Sequence, residues 1–115
     1  AMSDVTFLVK GLNARLIFTG PLTIAQVSET RSALIELMKA LPHQQVWLDI
    51  EGIHEADSAG VQVLLSFARY LKSENRVVEL IGCSDAVYDA AWALGVASDD
   101  DCLGVGYATE EEEVA

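Results

Sequence analysis

One tetrapeptide, Asp57-Ser58-Ala59-Gly60, places two polar side chains and two small residues where an apolar run gives way to a helical pattern. Aspartate and serine are common helix N-caps, because their side-chain oxygens accept hydrogen bonds from N–H groups of the first turn. Ala59 and Gly60 leave that turn uncovered, although glycine inside a helix costs up to about 1 kcal/mol relative to alanine. Uncovered N–H groups beside a hydroxyl at the positive end of a helix can accept an anion. The tetrapeptide therefore predicts either a structural cap, the more common case, or an anion site.

Catalysis by Ser58 is disfavoured by the order of residues in the chain. A serine at a strand-to-helix turn resembles the nucleophile elbow of hydrolases, but in that fold the histidine follows the serine. His43 and His54 both precede Ser58, and a serine without an activating base is a weak nucleophile. We therefore expect a protein that is not an enzyme and has no catalytic residues.

A metal or nucleotide site is disfavoured as well. His54 lies among Glu51, Glu55 and Asp57, but a metal held there would rest on ligands from a single loop, and charge pairing within the loop is the simpler interpretation. The glycines form neither a G-x-G-x-x-G nor a Walker pattern. We expect no cofactor and no metal.

The distribution of charge excludes further classes of function. The net charge is −11; residues 1–76 hold all 7 bases, whereas residues 77–115 hold 10 of the 18 acids and no base. An acidic surface repels nucleic acid and anionic lipid headgroups. No apolar run is long enough to span a membrane, and the first residues lack the pattern of a signal peptide. We expect no nucleic-acid partner, no membrane insertion and a cytoplasmic location.

Two cysteines are present, Cys83 and Cys102. They are too few for a disulfide scaffold and too far apart in sequence for a C-x-x-C pair. The chain has 115 residues, of which 51% are hydrophobic, so it can bury one core without disulfides or metal. We therefore expect ordinary thiols of a reducing compartment.

Hydrophobic periodicity places the tetrapeptide within a series of strands and helices. Strands are predicted over residues 5–10, 14–19, 46–50 and 77–81, and helices over residues 24–41, 58–73 and 85–94. The strands are expected to end at Gly20-Pro21, Gly52 and Gly82, the first helix to end at Pro42, and residues 51–56 to form an acidic connection.

Polar and glycine residues mark the predicted helix ends. Thr23 and Gln26 fit a capping box, Ser84 can cap the third helix, and Gly95 can end it in a left-handed conformation. The predicted inward faces carry Ile24, Val27, Arg31, Leu34, Met38 and Leu41 in the first helix, Val61, Leu64, Leu65, Ala68 and Leu71 in the second, and Val87, Ala90, Ala91 and Leu94 in the third.

The element order β-β-α-β-α-β-α predicts the fold class. Strand–helix–strand units give parallel neighbours with right-handed crossovers, and the opening hairpin adds an antiparallel pair. We expect a small α/β sandwich with a mixed, mostly parallel sheet and its helices on one or both faces. Residues 1–106 are predicted to form one domain, and residues 107–115, with the run Glu110–Glu113, a disordered acidic tail.

Residues 48–65, LDIEGIHEADSAGVQVLL, resemble the STAS domains, the family of bacterial anti-sigma-factor antagonists. In those domains a strand ends, a loop leads to Asp-Ser-x-Gly, and an apolar helix begins. Ser84-Asp85-Ala86-Val87 and Leu94-Gly95-Val96 resemble the last helix of the family and its glycine-containing end. The resemblance extends over nearly the whole chain to about residue 96, and it implies the STAS fold.

The resemblance also implies a phosphorylation switch. In the antagonists, a partner serine kinase that is also an anti-sigma factor phosphorylates the serine that aligns with Ser58. The unphosphorylated form captures that partner, and a phosphatase resets the switch. Asp57 is implied to shape the loop and orient the hydroxyl, and Gly60 to keep the first turn accessible. The implied partner-binding residues are His54, Glu55, Asp57, Ser58, Ala59 and Gly60.

The family leaves other functions open. Members occur in chemotaxis and stress signalling, and one is a constitutive small subunit bound to the ATPase of an ABC transporter that moves phospholipids. Such a subunit needs no phosphate and can carry threonine at this position, so Ser58 favours the switch. Nucleotide binding is the remaining alternative.

Overall fold

The elements of the fold follow the predicted order and add one small hairpin. The computed structural model describes residues 4–10, 13–40 and 45–108. The predictions made for Gly11-Leu12, for Leu41, Pro42 and His43 and for Glu110–Glu113 lie outside these residues. The elements are β1 (Asp4–Lys10), β2 (Asn13–Leu22), a 3-10 turn (Ile24–Gln26), α1 (Val27–Lys39), β3 (Gln45–Ala56), α2 (Ser58–Ser73), β4 (Val77–Cys83), α3 (Asp85–Ala93), β5 (Asp101–Cys102) and β6 (Val105–Gly106).

The main sheet is mixed and mostly parallel, as predicted. Its strand order is β1-β2-β3-β4. β1 pairs antiparallel with β2, whereas the pairs β2–β3 and β3–β4 are parallel. This arrangement brings the carboxyl ends of β3 and β4 to one edge of the sheet, and α2 and α3 each begin two residues beyond those ends.

The hairpin of β5 and β6 was not predicted. Its turn consists of Leu103 and Gly104, which both have positive φ, 62° and 70°, as two-residue hairpin turns require. Leucine rarely adopts this conformation, so Leu103-Gly104 was not recognised as a hairpin turn. The hairpin is held beside β4 by a bridge between Leu80 and Tyr107, and the Lys72 ammonium on α2 donates to the Gly104 carbonyl.

One buried cluster joins a single face of the sheet to all three helices. Its strand residues alternate along each strand, as in Ala14, Leu16 and Phe18 of β2. The opposite face carries an ion pair between Arg15 and Asp49, with nitrogen and oxygen 3.2 Å apart. All three helices contribute to the one cluster, and α2 contacts both α1 and α3, so the helices lie on one face of the sheet. None of the helices in the described ranges is long and apolar enough to cross a membrane.

Three strands run past the glycines that were expected to end them. β2 continues through Gly20-Pro21, β3 through Gly52 and β4 through Gly82. The β2–β3 pairing shifts register on either side of Gly20, which has a φ of 86°, and bulges of this kind tolerate glycine and proline. A Cβ on Gly52 would lie 2.8 Å from the Phe18 carbonyl oxygen. The glycines therefore mark bulges and close strand contacts, and residues 51–56 are strand rather than a loop.

The predicted inward faces need correction in all three helices. Ile24 is 71% exposed and belongs to a 3-10 turn ahead of α1 rather than to the helix. Within α1, Arg31 is exposed, whereas Thr30 and Leu37 are buried. On α2, Val63 and Phe67 are buried in addition to the predicted face, since α2 contacts both α1 and α3. Leu94 is 41% exposed because it is the C-cap of α3.

The predicted capping residues are confirmed. The Thr23 hydroxyl accepts from the Ala25 N–H, and the Gln26 amide oxygen accepts from the Thr23 N–H at 2.9 Å. Ser84 caps α3, and Gly95 follows α3 with a φ of 75°. Local sequence therefore fixes the helix starts, which are the features that position the candidate site.

Candidate functional site

The cap of α2 is Asp57 rather than Ser58. Asp57 has the extended backbone of an N-cap residue, with φ −124° and ψ −177°. Its Oδ1 accepts a hydrogen bond from the Gly60 N–H at 2.9 Å. The anion at the positive end of this helix is therefore the carboxylate of Asp57 itself.

The second oxygen of the same carboxylate reaches another element. Asp57 Oδ2 accepts from the Ile24 N–H at 2.9 Å, and Ile24 is the first residue of the 3-10 turn that leads into α1. Two backbone donors stabilise the ionised form, so the pKa of Asp57 lies below its usual value, chiefly because of the bond from Gly60 and against the opposing effect of burial. Asp57 thus ties the starts of two helices together.

Ser58 is left free by this arrangement. It is the first residue of α2, and its side chain is exposed. In the part of the chain that the structure describes, no hydrogen bond involves its hydroxyl. The Ser58 oxygen is therefore open to solvent and to an approaching protein.

Gly60 has a different role from the predicted one. It is buried, and a Cβ at this position would lie 2.0 Å from the Leu22 carbonyl oxygen. The expectation that Ala59 and Gly60 leave the first turn uncovered is therefore wrong at Gly60, because the last residue of β2 covers it. Ala59 is half-buried. Glycine is required here for a close contact between β2 and α2.

His54 and Glu55 lie before the cap, at the end of β3. Both are exposed, and Glu55 pairs with Pro21 of β2. Across the described ranges, no three side chains of histidine, cysteine, aspartate or glutamate are placed to hold a metal ion. Of the predicted site residues, the structure brings together the four consecutive residues 57–60, with His54 and Glu55 on the adjoining strand end.

Ile24 is a component of this surface that sequence reasoning assigned to the core. Its side chain is 71% exposed, and its backbone N–H is bonded to Asp57 across 33 positions of sequence. The capping box of Thr23 and Gln26 locates the start of the helix, but no local signal places that start beside α2. The site therefore combines an exposed hydroxyl, a fixed carboxylate and an exposed aliphatic side chain.

Solved structures with the same fold include proteins of similar size. SpoIIAA of Bacillus in its phosphorylated form aligns with a TM-score of 0.63 at 20% identity, covering 96% of each chain. SpoIIAA, an anti-sigma factor antagonist, aligns in its unphosphorylated form with a TM-score of 0.61 at 19% identity, covering 96% of this chain and 94% of that chain. A variant of Moorella thermoacetica RsbS with serine replaced by glutamate gives 0.68 at 18% identity, with coverage of 92% and 86%.

Longer proteins contain the fold as one part. SLC26A9 aligns with a TM-score of 0.64 at 16% identity; the alignment covers 89% of this chain and 19% of that chain. Mglu aligns at 19% identity with a TM-score of 0.55; the alignment covers 65% of this chain and 18% of the length of Mglu. No curated protein matches the sequence. The STAS domain family matches residues 11–110, most of the chain, and the chain therefore belongs to that family.

Proposed function

We propose that this protein is a phosphorylation-controlled partner switch. Unphosphorylated, it binds a serine protein kinase of the anti-sigma-factor type through the surface around Ser58. The kinase phosphorylates Ser58, the complex dissociates, and a phosphatase restores the binding form. The observation that carries this proposal is the exposed Ser58 hydroxyl at the start of α2, left unengaged because Asp57 performs the capping.

The reaction needs only an accessible hydroxyl on this chain. The Ser58 oxygen attacks the γ-phosphorus of ATP bound to the kinase, an oxygen–phosphorus bond forms, and the bond from that phosphorus to ADP breaks. A carboxylate of the kinase accepts the hydroxyl proton. A serine engaged in capping would have to break its hydrogen bond first, and Ser58 has no such bond within the described residues.

The added charge explains how binding would be switched. A phosphate carries about −1.5 to −2 charges at pH 7. It would sit beside the Asp57 carboxylate and close in sequence to the exposed Glu55. The positive end of α2 offsets part of the repulsion within the chain, so the fold survives. A partner packed on Ile24 and Ser58 would meet both the volume and the charge of the phosphate.

The relatives support the same interpretation. STAS domains are regulatory or binding domains, and SpoIIAA, which shares the fold over nearly its whole length, is an anti-sigma factor antagonist solved in both unphosphorylated and phosphorylated forms. The RsbS structure carries glutamate in place of a serine. A single charge can be sufficient, because 1.4 kcal/mol of lost binding free energy is a tenfold change in affinity.

Mass spectrometry after incubation with ATP and a soluble extract of the source organism tests the phosphorylation. We expect one phosphoryl group, mapped to Ser58, in the wild-type chain and none in Ser58→Ala. The control Ser66→Ala removes another exposed serine of α2 and should leave the modification unchanged. Phosphate on any residue other than Ser58 would contradict the proposal.

Binding to the purified kinase tests the switch itself. We expect wild type and Ser58→Ala to bind with similar affinity and Ser58→Glu to bind at least about tenfold more weakly. Equal binding of Ser58→Glu would refute the switch. If the chain instead captures a transporter ATPase, and neither substitution changes that binding, the chain is a constitutive subunit.

A further inference from the structure

Cys83 and Cys102 are brought together by the fold, although 19 positions of sequence separate them. Cys83 is the last residue of β4 and Cys102 the last residue of β5. Their sulfur atoms lie 3.8 Å apart, and both thiols are free. The sequence predicted ordinary thiols too far apart for a C-x-x-C pair, and the β5–β6 hairpin is the element that brings them together.

The two thiols differ in exposure and in acidity. Cys83 is half-buried, whereas Cys102 is fully buried. The hydrogen bond with Cys102 lowers the pKa of Cys83, and the same bond together with burial raises the pKa of Cys102. Thiolates rather than thiols react with oxidants. Cys83 is therefore the thiol that reacts first with an oxidant, and Cys102 is the thiol that reacts second.

We propose that Cys83 and Cys102 are a redox-active dithiol that hydrogen peroxide converts into a reversible intramolecular disulfide. The proposal rests on the 3.8 Å separation of the two sulfur atoms and on the exposure of one of them. It is independent of Ser58 and of the proposed partner switch.

The oxidation balances without any further reactant. The Cys83 thiolate attacks one oxygen of hydrogen peroxide, the oxygen–oxygen bond breaks, and hydroxide leaves, which yields a sulfenic acid on Cys83. The Cys102 sulfur then attacks the Cys83 sulfur, and the sulfenic oxygen leaves with the thiol proton as water. One peroxide and two thiols give one disulfide and two water molecules.

Backbone hydrogen bonds anchor the two segments that carry the sulfur atoms. Beyond Cys83, the Ser84 N–H donates to the Ile50 carbonyl at 3.4 Å, and beyond Cys102, the Leu103 N–H donates to the Val96 carbonyl at 2.7 Å. A disulfide requires a sulfur–sulfur distance of about 2.05 Å. The sulfur atoms are 3.8 Å apart, so formation of the disulfide requires the two side chains to rotate towards each other while the segments that carry them stay anchored.

The disulfide would have a definite structural effect. It would close a loop over residues 84–101, which contains α3, and would join the β5–β6 hairpin covalently to β4. Closing a loop of about this length restricts the unfolded chain. The oxidised protein should therefore melt at a higher temperature than the reduced protein, by roughly 5–15 °C.

Treatment of the reduced full chain with one equivalent of hydrogen peroxide tests the proposal. We expect a monomer that has lost two hydrogen atoms and both titratable thiols, with a peptide map linking Cys83 to Cys102 and full reversal by dithiothreitol. Loss of thiols through intermolecular dimers, or survival of both thiols, would overturn the proposal.

Two matched variants separate the roles of the thiols. Cys102→Ser should accumulate a sulfenic acid on Cys83 that dimedone traps, whereas Cys83→Ser should lose its remaining thiol at least about tenfold more slowly than wild type. Equal rates in the two variants would refute the assigned order. Ser58→Ala should oxidise like wild type. A failure of the disulfide to form would therefore leave the phosphorylation proposal untouched. If either cysteine variant does not fold, the peptide map of the wild-type chain still decides whether the disulfide forms.

Discussion

Two serines lie at the starts of helices at the same edge of the sheet, and only one of them has a free hydroxyl. Ser84 is the N-cap of α3, and its hydroxyl oxygen accepts from the Val87 N–H at 3.2 Å. Ser58 lies one position later relative to its helix, because Asp57 occupies the cap and accepts from the Gly60 N–H at 2.9 Å. The residue before the serine therefore decides whether the hydroxyl is structural or available.

The third residue also differs between the two helices, because the two helix starts are packed differently. In α3 this residue is Val87, whose side chain is buried in the core. In α2 it is Gly60, where the Leu22 carbonyl occupies the space that a side chain would need. The start of α2 is thus packed against a neighbouring strand and tied to a second helix through Asp57. The start of α3 is capped within its own first turn.

Substitution of Gly60 should have the largest effect. Gly60→Ala puts a Cβ within 2.0 Å of the Leu22 carbonyl oxygen, so the backbone must shift, and we expect a loss of at least about 3 kcal/mol of unfolding free energy. Urea denaturation measures this loss. Gly106→Ala is the control, since nothing lies within 4 Å of its Cβ. Equal stability of the two variants would mean that the Leu22 carbonyl of β2 does not pack directly against Gly60 of α2.

Removal of the Asp57 carboxylate should have the next largest effect. Asp57→Ala deletes the acceptor for two backbone N–H groups, those of Gly60 and Ile24, and we expect a loss of about 2 kcal/mol. Ser84→Ala deletes the acceptor for one and should cost about 1 kcal/mol. Urea denaturation of both variants measures the difference. A larger loss for Ser84→Ala would mean that the Ser84 cap contributes more to the free energy of unfolding than the Asp57 carboxylate does.

The two caps should also differ in pH dependence. The pKa of Asp57 is lower in the folded chain than in the unfolded one. The ionised carboxylate therefore stabilises the fold fully above the unfolded-state pKa of about 3.9, and this stabilisation is lost as the pH falls through the folded-state pKa. The stability gap between wild type and Asp57→Asn should therefore shrink below about pH 4. The gap for Ser84→Ala should stay constant, because serine does not titrate. Denaturation series between neutral and acidic pH measure both gaps.

Substitution of Ser58 should have the smallest effect on stability. Ser58→Ala removes an exposed hydroxyl that is not the cap, and we expect a change within about 0.5 kcal/mol. Thermal or urea denaturation measures it against Ser84→Ala. A loss as large as that of Ser84→Ala would show that Ser58 is a structural residue and not a free phosphoacceptor.

The sequence predicted the fold more completely than the site. The order of elements, the bounds of α2 and the capping residues Thr23 and Ser84 are confirmed, because each depends on periodicity or on hydrogen bonds within a few residues. The strand ends were misplaced at Gly20, Gly52 and Gly82, because a glycine in a bulge and a glycine at a chain break look the same without the neighbouring strand. The phosphorylation of Ser58 remains a prediction.

Local sequence by itself determined where the second and third helices begin and that Ser58 stands at a helix start, since these properties depend on near neighbours in the chain. Only the tertiary structure decided that the Asp57 carboxylate accepts from the Ile24 N–H and that the Leu22 carbonyl packs against Gly60. The same holds for the contact between the sulfur atoms of Cys83 and Cys102. Each of these contacts joins elements far apart in sequence, and their spacing is set by strand pairing and helix packing rather than by local backbone preference.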